Sequence, residues 1–110
     1  MLDTRLFLLQ RVSAMLMAPL VLIHLAVIIL AVRGGFDAAE ILSRTSGSWL
    51  WGAFYGLFVI AASVHAAIGL RVIVFETIGG SRRTLDVATI GIAALLALIG
   101  LRAVFAVVAS

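Results

Sequence analysis

Two residues of this chain are placed to do chemistry that their surroundings cannot explain away. They are His24 and His65, the only histidines, and each lies well inside a long apolar run. A neutral imidazole carries one donor and one acceptor, and hydrocarbon satisfies neither. A polar residue at such depth therefore points to a functional site. Three chemistries suit it. Neutral imidazole is a standard axial ligand for haem iron. A lone membrane histidine also bonds a neighbouring helix for modest gain, and a pair of them suits a proton relay.

The neighbours of each histidine follow from helical spacing. Gly69 lies one turn beyond His65 on the same face, with Ala61 and Ala62 one turn before it. Small residues there leave room for a flat macrocycle. Ser13 and Met17 fall on the face of His24, and Glu76 on the face of His65. Arg71 does not, because six residues turn a helix by about 240°. At 1.5 Å per residue, His24 stands about 20 Å beyond Arg11 and His65 only about 9 Å from Arg71. If both arginines mark one membrane surface, His24 is deeper by roughly 10 Å, so the two histidines are expected at separate levels, not on one iron. Each then needs a partner ligand from another chain.

Elements that can hold imidazoles in this way are membrane-spanning helices. Of the 110 residues, 65 % are hydrophobic and 12 % charged, whereas soluble domains average roughly 45–50 % and about 25 %. The first run, residues 12–32, has no Asp, Glu, Lys or Arg, and about 20 such residues cross a bilayer. It is too long for the apolar core of a signal peptide, and Arg33-Gly34-Gly35 is a poor cleavage site. Residues 2–10 read as an interfacial turn or two of helix. Pro19 predicts a kink that frees the Met15 carbonyl. A second run covers 49–75, with Arg71 its one charge, and a third covers 87–109. The expected fold is all-α, an integral membrane protein of three transmembrane helices forming one domain over 1–110.

The connections read as turns. Gly34-Gly35 ends the first helix. Residues 37–42 suit a short interfacial helix, with Trp49 and Trp51 following in an aromatic belt. Gly79-Gly80-Ser81 is a turn, and Thr84 or Asp86 is expected to cap the third helix. Along that helix Gly91, Ala94, Ala97 and Gly100 recur at small-residue spacing, which lets helix backbones approach. Arg102 can snorkel to nearby headgroups.

The formal charge is +3, and all eight basic residues are arginine. Beyond Arg82-Arg83 they do not cluster, so no nucleic-acid partner is expected. Arg5, Arg11, Arg71, Arg82 and Arg83 fall on one side of the membrane, against Arg33, Arg44 and Arg102 on the other. Five against three places the N-terminus in the cytoplasm. The lack of lysine and of a transit peptide points to a bacterial source and its cytoplasmic (inner) membrane. There is no cysteine, which excludes disulfides, iron–sulfur ligation by this chain and the thioether attachment of c-type haem.

Two stretches resemble a known family. Gln10-Arg11-Val12-Ser13-Ala14 is similar to the Arg-x-Ser/Thr-Gly/Ala opening of the membrane-anchor subunits of succinate dehydrogenase and fumarate reductase. His65-Ala66-Ala67-Ile68-Gly69-Leu70-Arg71 is similar to the His-x-x-x-Gly-x-Arg stretch of their second helix, whose histidine ligates haem b. The resemblance implies a bundle completed by a second anchor subunit, an iron–sulfur subunit and a flavoprotein subunit as further partners, and membrane quinone as substrate. It implies a non-catalytic subunit that passes electrons between the iron–sulfur subunit and quinone. His65 is then a haem ligand. His24, in Leu22-Ile23-His24-Leu25, is similar to the first-helix histidine of the two-haem branch, which implies two haems b, each shared with another subunit. Gly69 and Arg71 would pack the haem or pair its propionates. Arg11, Ser13 and Glu76 fall where quinone contacts lie, although Thr77 stands where a tyrosine often follows the acidic residue. The alternatives are a haem-free quinone-binding anchor and a small subunit of a proton-coupled transporter.

Overall fold

The computed structural model describes residues 4–109 and contains four helices: α1 (Thr4–Arg33), α2 (Ala38–Thr45), α3 (Trp49–Thr77) and α4 (Arg82–Val108). Three of them are long and apolar enough to cross a membrane. The chain is thus all-helical with three candidate spans, and α2 is a short helix between the first two.

The long helices overrun the expected spans. The first begins at Thr4 instead of residue 12. Residues 4–10 are its opening turns, while Leu2 and Asp3 lie outside the described residues. It stays helical through Pro19. The second runs to Thr77, and the third starts at Arg82, five residues earlier than expected. The cap of α4 is Ser81, not Thr84 or Asp86: its Oγ accepts from the Thr84 amide at 3.2 Å and donates to Thr84 Oγ1 at 2.8 Å. Gly79 and Gly80, at φ of +84° and +132°, hold the turn before it in backbone that side-chain-bearing residues avoid. Charged and polar residues lie in the added turns, which a bilayer-length window of apolar residues leaves out.

α3 is the central helix and packs against both α1 and α4. Its burial shows this: Ala61, Ser63, Ala67, Ile68 and Arg71 are buried, whereas α1 buries only Ser13 and Leu20, and α4 only Leu85. Small residues make the α3–α4 contact close. A Cβ on Gly100 would collide with Val59 Cγ1 and stand 3.0 Å from its Cγ2. Gly91, on the same predicted stripe, faces open space. Most large apolar side chains point outward, Leu22 and Leu30 each being 67 % exposed. Water would not tolerate such a surface on a monomer, but lipid or further apolar helices would.

The short helix closes one end. Asp37 Oδ1 caps α2 by accepting from the Glu40 amide at 2.9 Å, and Arg44 lies 4.3 Å over the Phe36 ring. The end of α2 and the segment after it supply donors to the C-terminus of α4, whose last carbonyls lack helical partners. Thr45 Oγ1 donates to Val107 O at 2.8 Å, and Gly47 N to Val108 O at 2.6 Å. Gly47 can turn its amide this way because its φ is +71°. With three spans, the N-terminus and the α3–α4 turn lie at the opposite end.

Candidate functional site

The two histidines occupy different levels. Ser13 of α1 faces His65 of α3, with 3.3 Å between Oγ and Nδ1. His24 of α1 meets two rings of α3 edge-on, Tyr55 at 5.7 Å and Phe58 at 5.3 Å between centroids. Eleven residues of α1 separate Ser13 from His24, and seven to ten of α3 separate Phe58 and Tyr55 from His65, so the imidazoles stand roughly 11–16 Å apart along the bundle. One metal ion cannot bridge that distance.

Around His65 the walls are apolar. The imidazole borders an open cleft on the flank of α1, lined by Ala14, Met17, Ala18, Val21 and Leu22. The cleft opens to the exterior of the chain, where lipid or another helix would stand. Gly69 does not contribute to it. A Cβ there would lie 3.7 Å from Gln10 Nε2, an ordinary contact distance. Gly69 thus faces the Gln10 amide in the α1–α3 contact.

His24 borders a second open cleft. Its ring is part of an apolar wall between α1, α2, α3 and α4, shared with Thr45, Tyr55, Phe58, Val59, Gly100 and Val104. Tyr55 is stacked in turn on Trp51, at 5.6 Å and 20°. The Nδ1 of His24 is buried and has no hydrogen-bond partner among the described residues. A buried nitrogen left in that condition is costly.

Arg71 is turned away from both. Its guanidinium is buried against α4, with Nη1 2.7 Å from Asp86 Oδ1 and donating to Thr89 Oγ1 at 3.3 Å. The Arg71 side chain is 3 % exposed and that of Asp86 49 %. Arg71 forms an ion pair that joins α3 to α4. The three residues expected at a quinone are not brought together. Arg11 is exposed with its guanidinium 5.8 Å from the centre of the Phe7 ring, Ser13 is buried against His65, and Glu76 is exposed near the end of α3. Residues 11 and 13 are about 200° apart on a helix, which is why one points out and the other in.

Several site residues were not singled out from sequence. Gln10 sits beside Gly69, with its Oε1 buried and without a hydrogen-bond partner among the described residues. Tyr55 and Phe58 flank His24, and their signal was aromatic spacing along α3: Trp51, Tyr55 and Phe58 recur every three or four residues. Asp86 was read only as a cap. In an antiparallel pair joined by a turn at 79–81, residues at similar distances before and after the turn come level. That rule brings Arg71 to Asp86 and Thr89.

A family model described as the succinate dehydrogenase/fumarate reductase transmembrane subunit matches residues 1–107. No curated protein and no solved structure matches the chain. The match spans nearly the whole sequence, and the chain belongs to that family.

Proposed function

We propose that this membrane subunit of the succinate dehydrogenase/fumarate reductase family holds haem b through His65, and a second haem b through His24. The observation that carries the reading is the setting of His65: a membrane imidazole on the wall of an externally open apolar cleft, where Ala14 and Ala18 stand among the larger Met17, Val21 and Leu22. A planar group can lie against an apolar wall, and a ligand from a second anchor helix can approach from the open side. His24 fits the same chemistry as a second membrane imidazole, whose Nδ1 has no hydrogen-bond partner among the described residues. When bound, haem b supplies one-electron transfer between an iron–sulfur subunit and membrane quinone.

The chain's own work is to bind and orient. α1 and α3 hold His65 at one level, and α3 holds His24 between the Tyr55 and Phe58 rings at another. Apolar side chains keep water from both. The exposed apolar faces of α1 and α4 suit a second anchor subunit and lipid. On the expected orientation in a bacterial cytoplasmic membrane, the N-terminal end faces the iron–sulfur and flavoprotein subunits in the cytoplasm. Of the residues considered for quinone, Arg11 and Glu76 are open to such a molecule and Ser13 is not. Family membership favours an anchor over a transporter subunit.

The test is the reduced-minus-oxidised spectrum of the purified complex, with haem counted per copy of this chain. Two b-type haems are expected, with H65A removing one and H24A the other. One haem, lost in H65A only, returns His24 to packing. No haem, with quinone reduction intact, selects a haem-free quinone-binding anchor.

A further inference from the structure

The contact between Ser13 and His65 has the geometry of a device that sets which imidazole nitrogen is free. Ser13 is buried at the α1–α3 interface. Its Oγ donates to the Gln10 carbonyl at 2.9 Å. A hydroxyl has one proton and two lone pairs. With the proton committed to the shorter bond, the oxygen can only accept from its other neighbour, His65 Nδ1 at 3.3 Å. Nδ1 must then carry the imidazole proton. Nε2 is left with its lone pair, and it makes no hydrogen bond with any described residue.

The opposite tautomer is poorer on two counts. It would take the Ser13 proton away from Gln10 O to point it at Nδ1. It would also leave an Nε2–H without an acceptor, since Nε2 makes no hydrogen bond with any described residue. The helix geometry supports the first arrangement. Ser13 is three residues after Gln10, where a serine hydroxyl reaches back to a carbonyl of the preceding turn, and this local bond orients the oxygen before His65 is considered.

We propose that Ser13 is the positioning residue of His65: by accepting the Nδ1 proton it fixes the ring orientation and the tautomer that presents Nε2 as a ligand. This rests on the proposal that His65 holds haem. A ligating histidine is made more basic when its other nitrogen donates a hydrogen bond. Ser13 thus makes His65 a stronger donor, which favours the ferric state and lowers the potential of the bound group. It also reassigns Ser13 from quinone contact to ligand control.

The experiment compares S13A, S13T, H65A and wild type in the intact complex. The readouts are redox titration of the haem and ¹⁵N spectra of histidine-labelled protein. In S13A the potential of the His65-linked haem is expected to rise and its retention to weaken by about 10–100-fold, with S13T restoring both. The wild-type ¹⁵N shifts of His65 should report a protonated Nδ1. An unchanged potential in S13A, with H65A still abolishing that haem, overturns the role of Ser13 and leaves the haem assignment standing. Full haem in H65A overturns the haem assignment. The ¹⁵N spectra then decide Ser13 alone: a tautomer that shifts in S13A supports it, and one that does not refutes it. If S13A loses the haem outright, S13C, which keeps the volume and weakens the acceptor, should give an intermediate rise in potential; a wild-type potential there refutes the proposal.

Discussion

The α3–α4 contact at Gly100 predicts a specific failure. A single methyl added by G100A would collide with Val59 Cγ1 and stand 3.0 Å from Cγ2 and 3.3 Å from Cβ. Val59 is β-branched, with one strongly preferred χ1 on a helix. Turning its methyl groups aside costs about 0.5–1.5 kcal/mol, and overpacking of this kind costs about 1–3 kcal/mol in all. Nothing offsets it, because burying a methyl among helices in lipid gains no transfer free energy from water. G100A should therefore weaken α3–α4 association by about 1–3 kcal/mol. The partner change V59A removes the two methyl groups in the way, so the double mutant should regain most of the loss, with a coupling of about 1–2 kcal/mol. The assay is reversible SDS denaturation in mixed micelles, followed by loss of helicity and by an α3–α4 fluorescence pair. A neutral G100A, or a loss that persists unchanged in V59A/G100A, would show that the two helices are not this close and would refute the reasoning.

Other perturbations test the remaining contacts. D86N leaves the buried Arg71 without its anion and should destabilise by about 1–3 kcal/mol, less than the about 3–5 of a fully buried pair, because Asp86 is half open to solvent. R71M/D86N should be more stable than D86N in the same denaturation assay, and the reverse order would mean that the pair is not the clasp between α3 and α4. T45V removes the donor to Val107 O and should cost about 0.5–1.5 kcal/mol, while T45S should be near neutral; protease sensitivity of the α2–α3 connection reports it. G79A places a side chain at φ of +84°, a conformation that costs an L-residue about 1–2 kcal/mol, so it should lower the thermal midpoint, whereas G91A, which meets open space, should not.

The contrast between Gly91 and Gly100 shows where legibility stops. Three spans, two histidines at separate depths, the short helix after Gly35 and the turn at Gly79-Gly80 all follow from residue type and order. Hydrocarbon excludes charge and unpaired backbone whatever the partners, so length and polarity alone mark a span. Family membership was legible as well, through Arg11-Val12-Ser13 and the stretch from His65 to Arg71. The rotational setting of each helix was not. A soluble helix declares its inner face by an apolar stripe; α1, α3 and α4 are apolar on every side, because lipid accepts the same side chains that a helix interface does. Spacing could say that Gly69 shares a face with His65, but only packing decided that Gln10 of α1 stands beside it. It likewise decided that Arg71 turns to Asp86 on α4, and that Ser13, counted from sequence on the face of His24, meets the imidazole of His65 instead. Composition against hydrocarbon determined what crosses the membrane; contact between helices determined which way each polar group points.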